Sequence, residues 1–97
     1  MMTSNGQYKG YRVQVISTRD RAKAFEIKAQ LLTRFPEEKS YALFQSPYFR
    51  VRIGNFIDKE EADEFRKIVA KAFPQGVYVV PDVIDYTPPE EDELFME

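Results

Sequence analysis

The sequence predicts an α+β domain of order β-α-β-β-α-β, a four-stranded antiparallel sheet with two helices on one face. Three observations predict it. The chain of 97 residues has the length of one domain and is 43% hydrophobic and 14% aromatic, a normal globular supply. Two segments, Tyr11–Ile16 and Tyr48–Ile53, alternate apolar with polar residues as half-buried strands do. The third observation is a duplication at a spacing of 38 residues: Tyr11-Arg-Val-Gln-Val overlies Phe49-Arg-Val-Arg-Ile, Ala24 overlies Ala62, Leu31 overlies Val69, and Phe35-Pro36 overlies Phe73-Pro74. Two strand–helix–strand units, about residues 11–45 and 48–84, close as a ferredoxin-like split βαβ sandwich. Right-handed crossovers place both helices on one side, with the first and third strands central.

The elements follow in order. Residues 1–10 are polar and contain two glycines, and read as a flexible lead-in to a domain spanning 11–84. In the first strand Val13 and Val15 share one face, Arg12 and Gln14 the other. A helix is expected from about Asp20, its N-cap, to Phe35. Its apolar stripe holds Ala24, Ile27, Leu31 and Phe35, widened by Phe25 and Leu32, and Pro36 stops it. Tyr41–Gln45 is the second strand and Ser46-Pro47 the turn. In the third strand Phe49, Val51 and Ile53 face the core, Tyr48, Arg50 and Arg52 the other side, and Gly54 ends it. The second helix, about Lys59–Phe73, is expected to start with Asp58 and Glu61 as a capping box and to bury Ala62, Phe65, Ile68, Val69, Ala72 and Phe73. Val77–Val80 is the last strand, with Pro81 at an edge. Residues 85–97, with six acids, no base and Pro88-Pro89, read as an acidic flexible tail.

Composition narrows the function. The chain has no Cys and no His. This removes thiol nucleophiles, disulfides, the commonest metal ligands and the commonest general base near neutral pH. The carboxylates of 58–64 crowd a helix start, where they serve the macrodipole and solvation. The reading is therefore a non-enzymatic binding module with no cofactor and no metal. No apolar run is long enough to span a membrane, and the first residues have no signal-peptide core. The net charge of −2 hides an asymmetry: residues 1–84 carry 14 bases against ten acids, a net +4 that suits an anionic ligand.

The sheet face away from the helices is expected to be open to water. Arg12, Gln14, Tyr48, Arg50 and Arg52 would stand there side by side. Arginine grips a carboxylate or phosphate with two parallel bonds, glutamine donates and accepts, and tyrosine stacks on a sugar or base. Arg and Gln on a wet strand face also serve simply to keep a sheet soluble; Tyr48 is the less ordinary residue.

Two segments resemble the SPOR (sporulation-related repeat) family: Tyr11-Arg-Val-Gln-Val-Ile-Ser17, and Tyr48-Phe-Arg-Val-Arg-Ile-Gly-Asn-Phe56 followed by Asp-Lys-Glu-Glu-Ala62. The resemblance covers about residues 11–81. It implies binding of peptidoglycan glycan strands stripped of stem peptides, on the open sheet face, and recruitment of the parent protein to division sites in the bacterial cell envelope or periplasm. By motif position it implies Gln14, Ser17, Tyr48 and Arg50 as ligand-binding residues; Arg12 and Arg52 are added from strand alternation. The chain departs from the family's pattern at Ile16, where a Gly is common and which would narrow that end or offer an apolar contact. It departs also at Asn55 in place of Pro, and at Tyr48 in place of a larger aromatic. The expected partner is glycan, with no nucleic acid and no membrane contact, and the expected state is a monomer. The alternatives are a protein-docking module of the same fold and a single-stranded nucleic-acid binder, though the central strands lack the paired aromatics of RNA-binding sheets.

Overall fold

The computed structural model describes residues 7–74 and 76–85. The expected tail beyond residue 85 and the first six residues lie outside them. The elements are β1 (Gln7–Thr18), α1 (Arg21–Arg34), β2 (Ser40–Gln45), β3 (Tyr48–Phe56), α2 (Lys59–Ala72) and β4 (Tyr78–Asp85). The antiparallel sheet has the order β2-β3-β1-β4, so the duplicated strands β1 and β3 are its centre. This is the β-α-β-β-α-β sandwich that the repeat predicts.

The helices obey their local signals. Asp20 caps α1 by accepting from the Lys23 N–H at 3.1 Å. The Phe35 N–H still reaches the Leu31 carbonyl at 2.8 Å, and Pro36 cannot continue the pattern. Ala24, Ile27 and Leu31 are buried, but Phe25 and Leu32, one step around the helix, are exposed, so the stripe is narrower than expected. In α2 Ala62 and Val69 are buried and Ile68 is exposed. The expected capping box is absent: Asp58 occupies the N-cap without a side-chain hydrogen bond, while Glu60 and Glu61 in the first turn still favour the positive helix end.

The core lies between sheet and helices. Val13, Val15, Val51, Ile53, Leu31 and Val69 are nearly inaccessible, with Phe73 closing one end. Phe65 meets Phe35 edge-on at 5.3 Å and Phe56 at 5.5 Å, joining both helices to the end of β3.

Three boundaries differ from the sequence reading. β1 begins at Gln7, because Gln7–Gly10 pair with Asp82–Asp85 of a β4 that runs to Asp85. Residues 7–10 are therefore strand rather than lead-in. Gly10 is where β1 runs closest to its surroundings: a Cβ there would collide with the Phe56 carbonyl oxygen and the Ile84 Cδ1. Gly10→Ala is expected to lower stability by about 1–3 kcal/mol through overpacking. A thermal melt followed by circular dichroism would show this as a midpoint about 4–8 °C lower per kcal/mol; an unchanged midpoint would mean that β1 does not pair along Gln7–Gly10.

Gly54 does not end β3. It adopts φ 92° inside the strand, and its N–H donates to the Lys39 carbonyl at 2.9 Å. The ladder slips by one residue here, between Tyr11↔Phe56 and Val13↔Ile53. A second slip lies between Gln14↔Arg52 and Ile16↔Val51, so Val15 is an extra residue in β1. Each bulge reverses the faces of everything beyond it.

Candidate functional site

The two bulges decide what the face away from the helices displays. Strict alternation from Val13 and Val15 would turn Ser17 inward and Ile16 outward. With the extra residue at Val15, Ile16 packs against the core and Ser17 stands opposite Arg50. The expected apolar contact at Ile16 on the open face is thereby corrected. At the other end, the Gly54 bulge sends Phe56 into the core and brings Asn55 to the polar face, where it bonds to Arg12 and Tyr41.

The face is not uniformly open. Arg12, Gln14 and Arg52 are only 6%, 4% and 9% exposed, which corrects the expectation that all five polar residues face water. They are buried because they satisfy one another and their neighbours. The Arg52 Nε donates to the Gln14 Oε1 at 2.9 Å, and the Gln14 amide donates to the Tyr78 hydroxyl at 3.0 Å. Arg52 and Arg12 both grip one oxygen of Asp82, at 2.9 and 3.1 Å. Arg12 also donates to the Asn55 side-chain Oδ1 at 3.0 Å and lies 3.9 Å from the centre of the Tyr41 ring. Asn55 donates to the Tyr41 hydroxyl at 2.8 Å and accepts from the Asp85 N–H at 2.9 Å; the Tyr41 hydroxyl donates to the Asp85 carboxylate at 3.3 Å. All four strands, the two edge strands β2 and β4 included, are thus tied together through side chains. Buried charges are tolerated only when paired in this way.

Asp82 is the hub. Burial alone would raise its pKa. Hydrogen bonds from Arg52 and the Val83 N–H, with the charges of Arg12 and Arg52, outweigh that and hold it below the ordinary carboxylate value. None of Asp82, Tyr41 or Tyr78 was singled out in the sequence, and Asn55 was noted only as a departure from the family's pattern. The one signal available was alternation in β4, which puts Tyr78 and Asp82 on the same face as Gln14 and Arg12.

The other end of the face is different in kind. Here β1 ends, β3 begins, and α1 starts. Tyr48 is 36% exposed. The guanidinium carbon of Arg50 lies 5.7 Å from the centre of its ring, and that of Arg19 lies 5.6 Å away. Arg50 is half-buried, and its Nε has no hydrogen-bond partner. Among the described residues, neither Arg50 nor Arg19 forms an ion pair. Ser17 lies across from Arg50, and Gln45 across from Tyr48. Of the six candidates, the structure brings Ser17, Tyr48 and Arg50 together at this end and gathers Arg12, Gln14 and Arg52 in the network beside them. Arg19 is an addition that lay outside the strand pattern.

Among the described residues no cluster of three or more acidic side chains is placed to hold a metal ion, and no helix is long and apolar enough to cross a membrane.

A comparison with characterised proteins finds no match. The fold is similar to the solution structure of the peptidoglycan binding domain of the B. subtilis cell wall lytic enzyme CwlC. The TM-score is 0.62 at 23% sequence identity, covering 84% of this chain and 96% of that one. The model of the SPOR domain family matches residues 7–80, from the first residue of β1 into β4 and through both halves of the duplication. The chain belongs to the SPOR domain family.

Proposed function

We propose that this domain binds peptidoglycan glycan strands, preferentially those stripped of stem peptides, at the Tyr48 end of the sheet face, without catalysing a reaction. The observation that carries this is the contrast across one face. At one end the guanidiniums are engaged by Asp82, Asn55 and Gln14, with the Arg12 Nε left over; the other presents an exposed aromatic ring, a hydroxyl and two guanidiniums that form no ion pair among the described residues. The peptidoglycan-binding fold neighbour and the family membership support the ligand class. Removing a stem peptide leaves a lactyl carboxylate on the sugar, which Arg50 takes through two parallel bonds. The pyranose ring rests on Tyr48 and Ser17 supplies a hydrogen bond, while Gln14, engaged by Arg52 and Tyr78, lies beneath them. Arg12 and Arg52, nearly buried and held by Asp82, Asn55 and Gln14, support this surface from beneath rather than touching the glycan. An uncleaved strand brings its peptides into the same space and is rejected by clash. Binding of this kind places the protein that carries the domain in the cell envelope, at division sites where stripped strands accumulate.

Sedimentation with purified sacculi tests the reading. The protein is expected to pellet, and more of it after the sacculi are treated with an amidase that strips stem peptides. Staying in the supernatant with both would leave the fold as a protein-docking module. Arg50→Ala is expected to weaken pelleting about tenfold, the worth of one charge-assisted bond, with a nearly unchanged melt, because among the described residues its side chain forms no ion pair and its cationic contact is with the exposed Tyr48 ring.

A further inference from the structure

The sequence pattern put Arg12, Arg50 and Arg52 on the face with Tyr48; the structure sets Arg50 and, from outside the strand pattern, Arg19 against its ring. Arg19 follows the last residue of β1 and precedes the cap of α1. Its position is held from both sides: the Asp20 N–H donates to the Thr18 hydroxyl at 3.1 Å, and the Asp20 carboxylate accepts from the Lys23 N–H at 3.1 Å. The short link between strand and helix is therefore fixed, and Arg19 leaves it with its guanidinium carbon 5.6 Å from the Tyr48 ring centre. Arg50 approaches the same ring at 5.7 Å.

The charge around this pair is one-sided. The first turn of α1 contains no acid, and the positive end of its dipole points the same way. The acids of α2 and β4 lie toward the other end of the sheet, where β3 ends and β4 finishes. Asp20 is the one acid close in sequence, and its carboxylate is engaged by the cap. A ligand on the Tyr48 ring thus meets two guanidiniums and no competing carboxylate from α1's first turn.

We propose that Arg19 is a specificity-determining residue of this site, and that with Arg50 it selects glycans whose sugars carry carboxylates over neutral glycans of the same ring type. The inference rests on the glycan-binding reading above. Tyr48 supplies ring contact that any pyranose satisfies. The two arginines supply the discrimination, since a neutral sugar leaves them without the counter-charge that a carboxylate gives.

The test compares two probes in solution by isothermal titration calorimetry: a peptide-free oligosaccharide of alternating N-acetylglucosamine and N-acetylmuramic acid, and a neutral oligomer of N-acetylglucosamine of the same length. The parent protein is expected to prefer the acidic oligomer. Arg19→Gln is expected to lose about tenfold in affinity for the acidic oligomer, the worth of one charge-assisted bond. It should keep its affinity for the neutral one, and Arg19→Lys should recover part of the loss. The salt dependence of acidic-oligomer binding should flatten in Arg19→Gln, a change that a merely structural role would not produce. Equal loss for both oligomers, or no loss for either, would overturn the role of Arg19. If the parent protein binds neither oligomer, the glycan reading itself fails, which is a separate result.

Discussion

Val51→Asp is expected to abolish folding. Val51 is completely inaccessible, on the core face of β3 opposite Ile16 and Ala42, in the cluster with Val13 and Leu31. A carboxyl group there finds no donor. Burying an unpaired polar group costs roughly 2–7 kcal/mol, and an ionised one more. A domain of this length has a stability on the order of 5–10 kcal/mol in total. Circular dichroism and a thermal melt should show no cooperative transition at 25 °C. Arg50→Ala, one residue away on the opposite face, is the matched control and should melt normally. A cooperative melt for Val51→Asp near the parent midpoint would refute the assignment of faces in β3.

Asp82→Ala carries the next largest effect. It leaves two nearly buried guanidiniums, Arg12 and Arg52, without their shared carboxylate. Removing one partner of a buried ion pair costs about 3–5 kcal/mol, because the remaining charge stays buried. Urea unfolding should show that loss as a lower midpoint at constant slope. Converting the whole triad to apolar residues, Asp82→Leu with Arg12→Met and Arg52→Met, should recover much of the stability, since the penalty belongs to the unpaired charge. Failure of the triple variant to exceed Asp82→Ala would show that the hydrogen bonds to Asn55 and Gln14, rather than the charges, hold the face together.

The same residue gives the domain an acid limit. The folded-state pKa of Asp82 lies below its unfolded value of about 3.9. Its contribution to stability is therefore complete above about pH 4 and is lost as pH falls through the folded value. Asp82→Asn is expected to be less stable at neutral pH and to lack this portion of the acid-induced decline.

Much of the fold is legible from short-range rules. The 38-residue repeat and the alternation of Val13 and Val15, and of Val51 and Ile53, place two strands at the sheet centre and name their core faces. Asp20 and the Phe-Pro pairs mark the ends of α1 and the end of α2, because caps and prolines act on the backbone within a few residues. The exposure of Phe25, Leu32 and Ile68 was not legible, since periodicity gives a helix's apolar side but not the width that the sheet covers.

The site divides along the same line. Tyr48, Arg50 and their face follow from alternation within one strand. Ser17 faces Arg50 only because Val15 is an extra residue, and Asn55 reaches Arg12 only because Gly54 takes φ 92°. A period of two resets at each bulge, and nothing local announces the reset. The exposure of Arg12, Gln14 and Arg52 depended on Asp82, Tyr78 and Tyr41, residues 29 to 70 positions away from the groups they touch. By itself the sequence determined the element order, the central strands and the faces of the strand segments between the bulges. Only the tertiary structure decided which polar residues spend their hydrogen bonds on one another and which remain free for a ligand, because that depends on contacts made across strands.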